Sequence, residues 1–115
     1  MVKIIRYLKR RKDLTLDQFK AYWLEEHAKL EKSMIQTTPI WKIVTSFATG
    51  EMIGGTEPAF DAVSELYFEN IEGMRALWSG ENPPDMHRDE ENFVDLSVEP
   101  VRIFAEEYLP TERTQ

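Results

Sequence analysis

The chain holds two histidines and no cysteine, so acid–base chemistry near neutral pH falls first to His27 and His87. Imidazole titrates near about pH 6.5, where small changes of surroundings move it across the physiological range. His27 lies in the apolar series Leu16, Phe19, Trp23, His27, Leu30, Met34, whose steps of three and four describe one face of an α-helix. Its ring is thus expected to point inward. In a half-buried cleft such a histidine serves as a general acid or base; the alternative is a core histidine with both nitrogens satisfied. Arg6 shares an alternate set with Ile4 and Leu8 in a β-like segment. An unpaired buried cation is very unfavourable, so the sequence predicts either an ion pair, with Glu65 or Glu106, or a two-pronged grip on a substrate carboxylate or oxyanion. His87 lies in Asp85-Met86-His87-Arg88-Asp89-Glu90-Glu91, which reads as a lid over a cleft or as a solvated polar face. Tyr22, Trp23, Tyr67, Trp78 and Phe93 could line an aromatic pocket or fill the core.

Metal and cofactor signatures are missing. No His-x-x-x-His pair occurs; His27 and Glu31 share an i,i+4 face, but metal sites need more ligands, whether Glu31, Asp89 or His87 is added. No Gly-x-Gly-x-x-Gly, P-loop or Gly-x-Ser-x-Gly motif is present. No metal and no cofactor are expected.

The elements that must position these residues read as follows. Val2–Lys9 is a strand with apolar residues in both alternate sets, so both faces are expected to be covered. Thr15 and Gln18 form a capping box, with Leu14 and Phe19 as a hydrophobic staple, and the helix runs on through Met34 with a Glu25–Lys29 pair outside. Trp41–Ala48 alternates as a second strand. Gly50–Pro58 is a long loop, and Phe60–Phe68 is a third strand. Asn70 caps a second helix bearing Ile71, Met74, Leu77 and Trp78, which ends within residues 79–84. Asp85–Phe93 is a short polar helix or ordered loop. Val98–Tyr108 is a fourth strand, and residues 110–115 form a tail. The order β-α-β-β-α-β predicts a ferredoxin-like α+β domain over residues 1–109, with a four-stranded antiparallel sheet and two helices on one face. Ile5, Tyr7, Val63 and Tyr67 point to the other face, which a second copy of the chain would cover.

Composition narrows the classes further. At 115 residues with 42% hydrophobic and 11% aromatic side chains, the chain suits one folded domain. Six of its fourteen basic residues fall between Lys3 and Lys12, leaving residues 13–115 with eight basic against twenty-one acidic side chains. That balance disfavours nucleic acid. No apolar run approaches the ~20 residues of a membrane span, and no h-region follows the basic start. A cytoplasmic setting is expected.

The opening Lys3-Ile-Ile-Arg-Tyr-Leu-Lys-Arg-Arg11 and the segment Leu14-Thr-Leu-Asp-Gln-Phe-Lys-Ala-Tyr-Trp-Leu-Glu-Glu-His27-Ala-Lys-Leu30 resemble the EthD family. So do Phe60-Asp-Ala-Val-Ser-Glu-Leu-Tyr-Phe68 and Asp89-Glu-Glu-Asn-Phe-Val-Asp95. The Phe-x-x-Tyr-Trp-x-x-x-His pattern is the most specific of these. The resemblance implies a dimeric α+β barrel and a substrate-facing role for His27. The function expected is cofactor-independent proton transfer (isomerisation, cyclisation or dehydration) on a small aromatic, lactone or polyketide-like substrate. His27 would be the acid–base group. Arg6 or Tyr67 would steady an oxyanion, Asp61 or Asp89 would orient the imidazole, and Trp23, His87 and Phe93 would line the cleft. The alternatives are a non-catalytic binding or accessory protein of an oxygenase pathway, and a cofactor-free monooxygenase.

Overall fold

The computed structural model describes residues 1–79, 88–99, 101–108 and 110–114. Its strands are β1 (Val2–Leu8), β2 (Lys42–Phe47), β3 (Ala62–Phe68) and β4 (Val101–Glu106). They form one sheet in the order β2-β3-β1-β4, with every neighbouring pair antiparallel. The helices are α1 (Leu16–Tyr22), α2 (Ala28–Thr37) and α3 (Ile71–Ser79). This is the ferredoxin-like α+β arrangement. The strands are one to five residues shorter than the alternation suggests. Val98 falls in a turn closed by Asp95, so β4 starts later than expected.

Local chemistry sets the helix starts. Thr15 accepts from the Gln18 backbone N–H at 3.1 Å, and the Gln18 side chain accepts from the Thr15 N–H at 2.9 Å. Leu14 packs against the cluster that holds Phe19. Asn70 Oδ1 caps α3 by accepting from the Gly73 N–H at 2.9 Å. One feature departs from the continuous α-helix expected: Trp23–His27, between α1 and α2, is π-helical. The wider turn alters which side chains face one another, and Lys29 pairs with Glu26 at 3.7 Å in place of Glu25.

The register sorts the side chains into two faces. Val2, Ile4, Arg6 and Leu8 of β1 stand opposite Phe68, Leu66, Ser64 and Ala62 of β3, on the side of the helices. Two apolar clusters fill that side. One gathers Ile4, Leu66 and Phe68 with Met34, Ile40 and Met74; the other gathers Leu8 and Ala62 with Phe19, Trp23, Phe93 and Val94. On the opposite face Ile5, Tyr7, Val44 and Val63 are only half-buried, and Val101 and Ile103 are exposed. Both faces of β1 are therefore not covered within one chain. Ile71, expected on an apolar stripe, is also exposed.

Candidate functional site

Between the two apolar clusters runs a polar row. Reading across the sheet on the helix side, Thr45 pairs with Ser64, Ser64 with Arg6, and Arg6 with Arg102. His27 and Glu31 descend on it from the first helical layer, and Asp89 and Glu90 reach it from the helical residues 88–90, the described part of the short polar helix expected there. His27, Ser64 and Glu90 are all buried. Buried polar groups survive only when paired, and among the described residues no side-chain nitrogen or oxygen that is fully shielded from solvent lacks a partner.

His27 is 3% exposed. Its ring packs against Trp23 at 5.1 Å and Phe93 at 4.9 Å between centroids, and its Nδ1 lies 2.9 Å from Asp89 Oδ2. The other Asp89 oxygen accepts from the Tyr22 hydroxyl at 2.5 Å and from Asn92 Nδ2 at 3.3 Å. Burial pushes the Asp89 carboxyl up, but the hydrogen bonds from Tyr22, His27 and Asn92 outweigh it and hold it below its ordinary range. An ionised Asp89 requires a proton on His27 Nδ1, which leaves Nε2 as the nitrogen that can meet a substrate. Burial, and then the bond to Asp89, push the Tyr22 phenol up.

Arg6 Nη2 meets Glu90 Oε1 at 2.7 Å, so neither Glu65 nor Glu106 is its partner. Glu65 points to the opposite face, where it binds Lys3 at 3.0 Å. A cavity of about 130 Å³ lies beside this ion pair, lined by Arg6, Glu90, Arg102, Leu8, Val94 and Leu96 among others. It is smaller than the ~300 Å³ at which ligand clefts begin.

Two other expected site residues lie apart. Tyr67 belongs with Val63 and Glu65 on the face away from the helices, where its hydroxyl donates to Glu65 at 3.0 Å and accepts from Lys3 at 3.3 Å. Alternation along β3 separates it from His27. Asp61 sits beyond the end of β1, accepting from the Arg10 backbone N–H at 2.8 Å and pairing with Arg10 and Lys9; Asp89, the other carboxylate expected for the task, is the one that holds His27. His87 lies outside the described residues, as do residues 80–86 and the side chain of Trp78. Among the described residues no group of three or more His, Cys, Asp or Glu is placed to hold a metal ion, and no helix is long and apolar enough to cross a membrane.

Sequence reasoning missed the part played by Tyr22, Asn92, Glu90 and Glu31. Glu31 accepts from the Trp23 indole Nε1–H at 3.0 Å. Burial pushes its carboxyl up, against the opposing influence of His27, the Trp23 bond and Arg6. The i,i+4 spacing from His27 was the one available signal for it.

The EthD domain model matches residues 11–97. The chain belongs to the EthD family. A member of this family from Bacillus halodurans, an ethyl tert-butyl ether d (EthD) family protein, is similar in structure with a TM-score of 0.68 at 18% identity, over 94% of this chain and 99% of that one. A dimeric protein of unknown function and ferredoxin-like fold from Bacteroides fragilis gives 0.62 at 14% identity, over 91% and 94%. The hydroxynitrile lyase from Passiflora edulis gives 0.57 at 12% identity, over 95% and 96%. No curated protein matches the sequence.

Proposed function

We propose that this EthD-family protein is a small cofactor-independent enzyme that moves protons on a small enolisable, aromatic or lactone-like molecule. His27 is its general acid–base group. The observation that carries the reading is the polar row that interrupts the core, with His27 held at Nδ1 by an ionised Asp89 that Tyr22 and Asn92 in turn hold. A packed core has no need of such a row, and replacing buried ion pairs by apolar residues is often neutral or stabilising. A π-helical turn, rare and frequent at functional sites, brings Trp23 and His27 to this place. General acid–base catalysis of this kind contributes ~10²–10⁴-fold. The fold also serves a hydroxynitrile lyase, which supports catalysis as a use of the scaffold.

A second copy of the chain would cover Ile5, Tyr7, Val63, Val101 and Ile103; the Bacteroides fragilis neighbour is dimeric, which supports this. A second reading, a structural histidine in a non-catalytic protein, is favoured by the 3% exposure of His27 and by the small cavity beside Arg6. A thermal-shift screen of lactones, phenols and aromatic acids on wild type and His27→Ala separates the two. The enzyme reading expects a ligand whose stabilisation, about 2.7 kcal/mol at a hundred times Kd, weakens in His27→Ala and which is then turned over. No ligand, together with a large loss of melting temperature in His27→Ala, would leave the structural reading.

A further inference from the structure

We infer that Glu31 is the second proton-carrying group of this site, paired with His27 so that one takes a proton from an enolisable substrate as the other gives one. The inference rests on the reading of His27 as the acid–base group. Its basis is geometric. Trp23, His27 and Glu31 follow one another at four-residue steps, the first across the π-helical turn and the second into α2. The Trp23 ring packs edge-on against His27 at 5.1 Å and its Nε1–H reaches past that ring to Glu31 Oε1 at 3.0 Å. The indole therefore braces both groups. The His27 and Glu31 side chains, at the α-helical i,i+4 spacing, lie about 5–6 Å apart at Cβ, close enough to reach neighbouring atoms of one small molecule.

The same bond fixes which oxygen of Glu31 does the work. Oε1 is taken by Trp23, so Oε2 is the oxygen that can carry or deliver a proton. The charged groups that face Glu31 are His27 from its own helical layer and Arg6 from β1. Partial burial favours the protonated acid, whereas a protonated His27 favours the carboxylate. The two groups thus oppose each other's charge state in the sense a proton exchange needs.

His27 Nε2 accepts the proton from the carbon next to a carbonyl, and the C–H electron pair becomes the C=C bond of the enol. The carbonyl π pair moves to oxygen, which takes the proton of Glu31. An imidazolium and a carboxylate remain side by side. Where a second C=C is conjugated with the enol, the imidazolium protonates the far carbon of that dienol, the C=C pairs shift to reform the carbonyl, and the enol O–H returns its proton to the Glu31 carboxylate; both groups are restored and the substrate's double bond has moved.

The test uses the full chain with carbon-13 in its glutamate carboxyls. NMR titration is expected to place Glu31 above the ordinary glutamate range, and higher still in His27→Gln, where no imidazolium opposes the acid. Deuterium uptake from D2O into 2,4-pentanedione is followed in parallel. Wild type should accelerate it, Glu31→Gln should lose about tenfold or more, and Glu31→Asp should recover part. Glutamine keeps an oxygen for the Trp23 N–H, so an unchanged indole resonance and a melting temperature no lower than wild type verify the fold. A Glu31 that titrates in the ordinary range, or ignores His27→Gln, overturns the pairing. Wild-type exchange in Glu31→Gln overturns its role in proton transfer. No acceleration by wild type overturns the enolisable substrate class, while a ligand dependent on His27 in the thermal-shift screen would leave the wider reading standing.

Discussion

Replacing Asp89 by asparagine changes one atom and tests the whole arrangement around His27. The amide has one acceptor and one donor end, and the neighbours decide which faces which. Asp89 Oδ1 receives the Tyr22 hydroxyl at 2.5 Å and Asn92 Nδ2 at 3.3 Å. An NH2 placed there would face the Asn92 NH2, so the amide oxygen stays on that side. The new NH2 then points at His27 Nδ1, 2.9 Å away in the wild type. Nδ1 must become the acceptor, the proton moves to Nε2, and the nitrogen facing substrate can no longer accept one. A wrong tautomer in a comparable His-carboxylate pair lowers turnover by ~10⁴, and a loss of about 10²–10⁴ is expected here.

Stability changes too. The carboxylate of Asp89 is 13% exposed, and hydrogen bonds to charged groups contribute about 1.5–3 kcal/mol. Losing that charge should lower the melting temperature by roughly 5–15 °C for a domain of this size. The pH dependence has a definite sign. Asp89 is held below its ordinary range, so its stabilisation is present above the unfolded-state value and is lost as pH falls through the lower folded-state value. Asp89→Asn should lack that acid limb. The assay is nitrogen-15 NMR of the imidazole, which reads the tautomer directly, together with melting curves at several acidic pH values. A variant that keeps its proton on Nδ1 and melts like wild type across that range would refute the argument.

Glu31 titrates in the opposite sense. Its carboxyl is pushed up by burial, so stability falls as pH rises from the unfolded-state value through the raised folded one, and Glu31→Gln should gain on wild type above that window in melting curves. Glu90→Gln takes the negative charge from the 2.7 Å partner of Arg6 and should cost about 2–4 kcal/mol by urea unfolding, whereas Arg6→Leu with Glu90→Leu should recover most of that loss. Ile103→Asp puts a charge on the open sheet face and should give monomers by light scattering if two copies meet there. Thr15→Ala removes the capping box and should cost about 1 kcal/mol, measured in the same urea unfolding.

The fold was legible because its signals are local. A capping box needs only Thr15 and Gln18, Asn70 needs only the helix it starts, and alternation separates Ile4 from Ile5 without reference to anything distant. The site was half legible for the same reason. His27 and Arg6 stand out as polar residues in apolar series, so their unusual surroundings can be read from neighbours in sequence. Their partners cannot. Asp89 lies 62 positions from His27 and Glu90 lies farther still from Arg6, on a short helical segment whose position depends on how the chain closes over the sheet. Tyr67 shows the opposite case. Its parity with Val63 already placed it away from the helices, and following that parity through would have removed it from any site containing His27.

The polar row also explains why the core divides in two. Along β1 the order is Ile4, Arg6, Leu8; along β3 it is Leu66, Ser64, Ala62. Along the helical layer it is Met34, then His27, then Trp23 and Phe19. In each element an apolar residue of one cluster is followed by the polar row and then by the other cluster. An aliphatic core through all three would need no Asp89, Glu90, Tyr22 or Asn92 to satisfy it, and each of those demands a fixed geometry from a distant turn. Consistency between pattern and fold breaks at one level only, which is where natural sequences depart from the most stable choice for the sake of function. The apolar clusters on either side do the folding, and their packing holds His27, Glu31 and Arg6 where the proposed proton transfer would need them.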